Sequence, residues 1–300
     1  MDLDALIGCV TSASCVVTQT TSGLIVGMLL FLVAAGLTLI FGVLKIVNFA
    51  HGTFYMLGAY LAYTVFAVTG SYVLGVLGGG LGMAVFGVIF ERFLISRVYG
   101  ANVLMQLLIC YAVVLICDDL VKIVWGPDFY AMGMPPAFQV PPLFIAGGVV
   151  PPFYLVLISA ALVIGGALGL GLGLTRMGKI IRAAAVNPDM VSALGINTTL
   201  LYSLVFAVGG MLAGLAGGLA APVRSLTPGM GFSVLIESFI VTVIGGMGSI
   251  AGALIAAVVL GLIRSFGTIG FPLFTDGLMY IAMIIILVVK PSGLFGKEIV

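Results

Sequence analysis

Glu237, in the run FSVLIESFIVTVIGG, reads as the one acidic residue inside an apolar span of this sequence. A carboxylate near the middle of a membrane-crossing helix costs about 2.5–3.5 kcal/mol on insertion scales, so it should face protein or water. The chemistry open to it is contact with an ammonium group, with Ser238 and Thr242 on the same segment. A hydrated position near the outer end of the span is the alternative. Arg264 is either its partner or a cation that snorkels to the interface.

Two further stretches break apolar runs with residues that end and restart helices. VNFAHGTFYM carries Asn48, His51 and Gly52, and IGGMGSIAG carries Gly245 and Gly246 in the other half of the chain. Asn48 is placed to cap a helix beginning at Phe49 or Ala50. Gly-broken segments in corresponding positions point to a translocation path, because exposed helix ends are tolerated only where they line a cavity or are buried in protein. Two readings stand for Asn48 and His51: capping with a neutral His bonded between helices, or lining of a solute path. From the span boundaries Asn48 lies near the inner side, which fits an inner gate better than a first contact with solute.

A third stretch, GLTRMGKIIRAAAVNPDMVSALGIN, opens as G-x-x-x-x-G-K at Gly173 to Lys179. A phosphate-binding loop needs Ser or Thr after the Lys and must join a strand to a helix. Here Ile180 follows Lys179 and the loop leaves an apolar helix, so nucleotide binding by this chain is not expected. The second half of the stretch encodes a short helix over 188–194: Asn187 as N-cap, Pro188 first, Asp189 at the positive end of the dipole, Gly195 as the stop. Met190, Val191, Ala193 and Leu194 give it an apolar face outside the membrane, suited to lipid headgroups or to a groove in a partner. Asn197 caps the next span.

Composition dictates the elements that must position these residues. Of 300 residues 62% are hydrophobic and 7% charged, against about 25% charged in a soluble domain. Nothing alternates with period two as a membrane barrel would. The chain is expected to be one all-α polytopic membrane domain over 1–300, with spans near 20–44, 52–68, 72–95, 104–124, 153–175, 198–220, 232–247, 250–266 and 273–289. The count is eight or nine, because the seventh and eighth are short. Asp2 and Asp4 stand where a secretory leader would carry positive charge, so no cleaved leader is expected. If the joints alternate, eight of eleven basic residues share one side: Lys45, Arg92, Arg97, Arg176, Lys179, Arg182, Lys290 and Lys297. The positive-inside rule then puts the N-terminus outside, the C-terminus in the cytoplasm, and the loop 176–197 in the cytoplasm.

Glycine repeats every four residues at Gly165, Gly169 and Gly173, at Gly210, Gly214 and Gly218, and at Gly78 and Gly82. Such faces let helix backbones approach in lipid, within the chain or between subunits. The outside loop 125–152 holds seven of the twelve prolines and reads as a stiff connector, either a structural cap or a docking surface. One His and four Cys, with no ligand-spaced set, make a metal site or a Ser/His/Asp triad improbable. A net charge of +1 gives no reason to expect nucleic acid.

The residues RMGKIIRAAAVNPDMVSALGIN resemble the EAA-type cytoplasmic loop of bacterial ABC-importer permeases. GLTLIFGVLKIVNFAHGTFYMLGAYLAY, VIGGMGSIAGALIAAVVLGLI and KPSGLFG make the chain more specifically similar to LivH-type branched-chain amino-acid permeases, in order from Thr20 to Gly296. The acidic residue often found after the Ala run is here Val186-Asn187. The resemblance implies a permease of the inner membrane, surrounded by lipid, that binds no cofactor. Its partners would be a second, LivM-type permease, two ATPase subunits that hold ATP and Mg, and a periplasmic substrate-binding protein. Arg182, Ala184, Asn187, Pro188, Asp189, Met190, Val191, Leu194 and Gly195 would form the element docked on the ATPase. The rivals are a homologous permease for urea, short amides or another amino acid, an ion-coupled secondary transporter, and, least favoured, an intramembrane enzyme.

Overall fold

The structure, a computed structural model, describes residues 3–296. Asp2, cited above in the reading of the leader, and Lys297, counted among the basic residues, lie outside the described residues. The described chain forms α1 (Leu3–Thr11), α2 (Ala13–Leu44), α3 (His51–Thr69), α4 (Tyr72–Phe93), α5 (Val103–Val124), α6 (Pro152–Leu174), α7 (Arg176–Val186), α8 (Pro188–Ala193), α9 (Thr198–Ala220), α10 (Met230–Gly245), α11 (Ile250–Gly270) and α12 (Thr275–Val289). Seven of these are long and apolar enough to cross a membrane: α2, α3, α4, α6, α9, α11 and α12, the fourth and twelfth with adjoining 3-10 turns. α10 is shorter at 16 residues, and α5 has 22 but ends in Asp118, Asp119 and Lys122. All nine expected runs fall on these nine helices.

α2 is the axis of the bundle. It is apolar all round, and a helix of that kind belongs inside; Leu32, Ala34, Ala35 and Ile40 are among its wholly buried residues. Glycine sets how closely its neighbours approach. A Cβ on Gly27 would lie 2.6 Å from the carbonyl oxygen of Ala257 on α11, and one on Gly36 would lie 2.7 Å from that of Gly209 on α9.

The glycine repeats divide in their use. Gly210 and Gly214 of α9 meet the carbonyls of Met83 and Gly79 on α4, and Gly78 and Gly82 meet Val65 and Leu61 on α3. α3, α4 and α9 are thereby one closely packed block. On α6, Gly165 meets the Phe31 ring, whereas Gly169 and Gly173 have nothing within 4 Å.

The helix joints sort to two ends. At one, Gly42 and Gly248 approach each other and the N–H groups of Leu294 and Phe295 donate to the carbonyls of Ile244 and Gly245. At the other, the Pro-rich loop crosses the helix ends. Its β1 (Leu143–Ile145) and β2 (Gly148–Val150) pair antiparallel through a turn with positive φ at Ala146 and Gly147. The Val149 N–H donates to Thr18 Oγ1, Trp125 Nε1 donates to Thr64 Oγ1, and Tyr130 bridges Leu226. A disulfide between Cys9 and Cys15 ties α1 to the first turn of α2 at this same end. The loop thus lies across the helix ends and carries a small hairpin within what was expected to be a stiff non-helical connector.

Candidate functional site

After Leu44 the chain turns at the exposed Lys45 and re-enters the bundle. Lys45 adopts a left-handed conformation, φ 58°, and residues 46–50 run back along α2. Asn48 is fully buried, and its Oδ1 accepts from the Ala50 N–H at 3.0 Å. This is a turn two residues ahead of α3, so the helix starts at His51, later than the Phe49 or Ala50 expected. His51 is also fully buried, and its Nε2 donates to the Val33 carbonyl at 3.0 Å. A carbonyl only accepts, so that nitrogen carries the proton. Val33 lies three turns before the end of α2, about 16 Å along it. His51 thus sits well inside the bundle, and Asn48 is buried against Cys110 of α5. Asn48 Nδ2 and His51 Nδ1 are buried without a hydrogen-bond partner.

Gly52 meets the start of α10 directly: a Cβ there would lie 1.9 Å from the Gly231 carbonyl oxygen. The two broken segments are joined further down by hydroxyls. Thr38 Oγ1 donates to Thr242 Oγ1 at 3.3 Å, and Thr242 Oγ1 bonds the Ser238 carbonyl of its own helix at 2.9 Å. Ser238 Oγ donates to the Val234 carbonyl at 2.7 Å. Ser238 and Thr242 are buried and turned inward, satisfied by backbone, and do not join Glu237 as the sequence suggested. Gly245 abuts Gly252 of α11, and Gly246, at φ 97°, abuts Gly296. The second break is therefore held by the C-terminal segment.

Glu237 has its expected partner: Arg264 Nη1 lies 2.6 Å from Oε1, while Nη2 reaches Asp276 at 3.4 Å. The other oxygen, Oε2, is buried without a partner. Tyr55 interacts with Arg224 and, at longer range, with Glu237. A cavity of about 190 Å³ opens here, lined by Ser233, Ile236, Glu237, Asp276 and Tyr280 among others. On the opposite side of α10 a second hollow of about 210 Å³ is wholly apolar, bounded by Phe49, Leu107, Tyr111, Val114, Phe232 and Leu235. Phe232 borders both. α10 thus has apolar surface in one hollow and a carboxylate in the other.

The G-x-x-x-x-G-K stretch is a joint between two helices. Thr175 Oγ1 accepts from the Gly178 N–H at 3.0 Å, and Gly178 lies inside α7. Arg182 turns back to bond the carbonyls of Leu172 and Gly173 at the end of α6, and Ala184 is buried. Then comes α8, capped as expected: Asn187 Oδ1 accepts from the Met190 N–H at 3.0 Å, with Pro188 first and Asp189 in the first turn. Gly195 sits at φ 83°. The helix ends at Ala193, a residue early, and its apolar face is split. Val191 is buried, whereas Met190 and Leu194 are 62% and 75% exposed. Asn197 caps α9 through the Leu200 N–H at 3.0 Å.

Sequence reasoning missed Glu91. Its place beside Arg92 at the end of an apolar run is that of a solvated helix end, yet it is fully buried, so Glu237 is not the one acid inside the bundle. Ser203 Oγ donates to its Oε2 at 2.5 Å and the Tyr99 hydroxyl donates to Oε1. Burial first, then Glu91, pushes the pKa of Tyr99 up, so the phenol remains a donor.

With this geometry in place, comparison with known proteins gives a consistent result. The family described as branched-chain amino acid transport system, permease component, matches residues 19–288. The high-affinity branched-chain amino acid transport system permease protein BraD of Pseudomonas aeruginosa is 31% identical over 93% of this chain and 95% of its own length. LivH of Escherichia coli is 27% identical over the same shares, and a probable LivH of Methanocaldococcus jannaschii is 29% identical over 90% of this chain and 89% of its own. No solved structure matches. The chain belongs to the family of branched-chain amino acid transport permeases.

Proposed function

We propose that this chain is the transmembrane permease subunit of a binding-protein-dependent ABC importer of the bacterial inner membrane, carrying leucine, isoleucine and valine. It has no ATPase site of its own in this reading. ATP and Mg belong to two partner ATPase subunits, a second LivM-type permease completes the path, and a periplasmic protein delivers the solute. The single observation that carries this is α8: a capped helix on the basic end of the bundle, with Met190 and Leu194 turned outward. Apolar residues on so short a helix call for a groove in another protein. The N-terminus lies outside, a side compatible with the Cys9–Cys15 disulfide, since such bonds persist in oxidising compartments.

Solute passes along α10, where the apolar hollow at Phe49 and Leu235 suits a branched side chain and Glu237 Oε2 suits an ammonium. ATP-driven closure of the partners moves α8, and the break at Asn48 and His51 opens or shuts the path. Reconstitution of this chain with its partners in proteoliposomes tests the reading. Leucine-stimulated, ATP-dependent uptake is expected. ATP-dependent uptake of urea, amides or other amino acids alone would change the cargo, and uptake that ignores ATP but collapses with uncouplers would overturn the reading.

A further inference from the structure

Glu91 is a carboxylate with no measurable exposure whose contacts are two hydroxyl donors drawn from separate elements. No Lys or Arg among the described residues pairs with it. A buried acid of this kind is costly unless its oxygens are hydrogen-bonded, and ionisable groups at membrane depth are retained for function by default. Its two donors sit at the joints between helices. Ser203 is one turn into α9, and Tyr99 lies just past the 3-10 turn (Ile95–Val98) that follows α4. The Tyr99 ring meets that of Tyr202 edge-on at 5.4 Å, and Tyr202 in turn lies within electrostatic reach of Asp189 on α8.

α8 is joined to the root of α9 by the Ile196 N–H, which donates to the Val191 carbonyl, and from Tyr202 on α9 contacts lead through Tyr99 to Glu91 and back to α9 at Ser203. Beyond Glu91, Gly87 seats against the Phe206 carbonyl, and α9 then carries Gly209 against Gly36, which also touches His51. We propose that Glu91 is the positioning residue that fastens the root of α9 to α4, so that displacement of α8 moves α3, α4 and α9 as one body against α2 and α10. This rests on the reading of α8 as the coupling helix. Without the carboxylate, α9 gives way locally and the movement is lost before it reaches His51.

The test is uptake per ATP hydrolysed by the assembled transporter in proteoliposomes. Glu91→Leu is expected to assemble and to hydrolyse ATP at a rate within about twofold of the parent, while uptake per ATP falls about tenfold. Glu91→Gln, which keeps an acceptor, is expected to recover at least half. Tyr99→Phe and Ser203→Ala remove one donor each and are expected to lower the same ratio by about threefold, which keeps the inference testable if Glu91→Leu fails to assemble. An unchanged ratio in Glu91→Leu, or in both hydroxyl variants, would overturn it. Leu194→Asp run alongside separates the two ideas: if it uncouples and the Glu91 variants do not, only the role of Glu91 fails, and if it does not uncouple, both fail.

Discussion

Gly52 and Gly231 touch backbone to backbone, with a Cβ on the first lying 1.9 Å from the carbonyl of the second and a Cβ on the second lying 2.7 Å from the carbonyl of the first. This mutual contact presses the first turn of α3 against the first turn of α10. It explains why a glycine follows the histidine of the N-F-A-H-G stretch: its role is close approach.

Gly52→Ala must push α3 and α10 apart, since the obstacle is backbone and cannot rotate away. Overpacking of this kind costs about 1–3 kcal/mol. A lowered midpoint of thermal unfolding in detergent is expected, larger than for Gly169→Ala, where a Cβ meets nothing. Equal midpoints for the two variants would contradict the contact.

The Glu237–Arg264 pair is largely enclosed, with side chains 15% and 24% exposed. Losing one partner of such a pair leaves a poorly compensated charge, whereas replacing both is often close to neutral. Arg264→Met should destabilise the protein more than the double variant Glu237→Gln with Arg264→Met. A double-mutant cycle in unfolding reads this directly, and strict additivity would show that the pair contributes nothing. Glu237→Gln alone is expected to slow uptake if the carboxylate meets the solute ammonium; unchanged uptake kinetics would retire that role.

Gly195 is held at φ 83°, a conformation that costs a β-branched residue about 1–2 kcal/mol. Gly195→Val is expected to distort the end of α8, and Leu194→Asp to place a charge on its exposed face, each uncoupling ATP hydrolysis from uptake while the protein still inserts in the membrane. Normal coupled transport in both would argue against docking of α8.

The disulfide gives a test of sidedness. After mild reduction of intact cells, Cys15, which is partly exposed, should react with a membrane-impermeant maleimide, while the buried Cys110 and Cys117 should not. Labelling only in inverted vesicles would reverse the orientation.

Much of this protein was legible without coordinates because the controlling physics is local. Apolar run length sets where helices lie, Asn187 and Asn197 cap by accepting hydrogen bonds from N–H groups three residues on, Pro188 supplies a preset φ at the first helical position, and Gly195 takes the positive φ that ends α8. Contacts between distant segments were not legible. The climb of residues 46–50 back along α2 depends on an acceptor, Val33, eighteen residues from His51. The inward turn of Ser238 and Thr242 depends on α2, and the splitting of the α8 face depends on what covers Val191. Glu91 is the sharpest case. Next to Arg92 at the end of an apolar run its sequence context describes a solvated helix end, and only the packing of α4 against α9, with Ser203 and Tyr99 closing over it, makes it a buried acid. Sequence determines what each segment can bury; which polar groups are buried together is decided by tertiary packing, because their partners are remote along the chain.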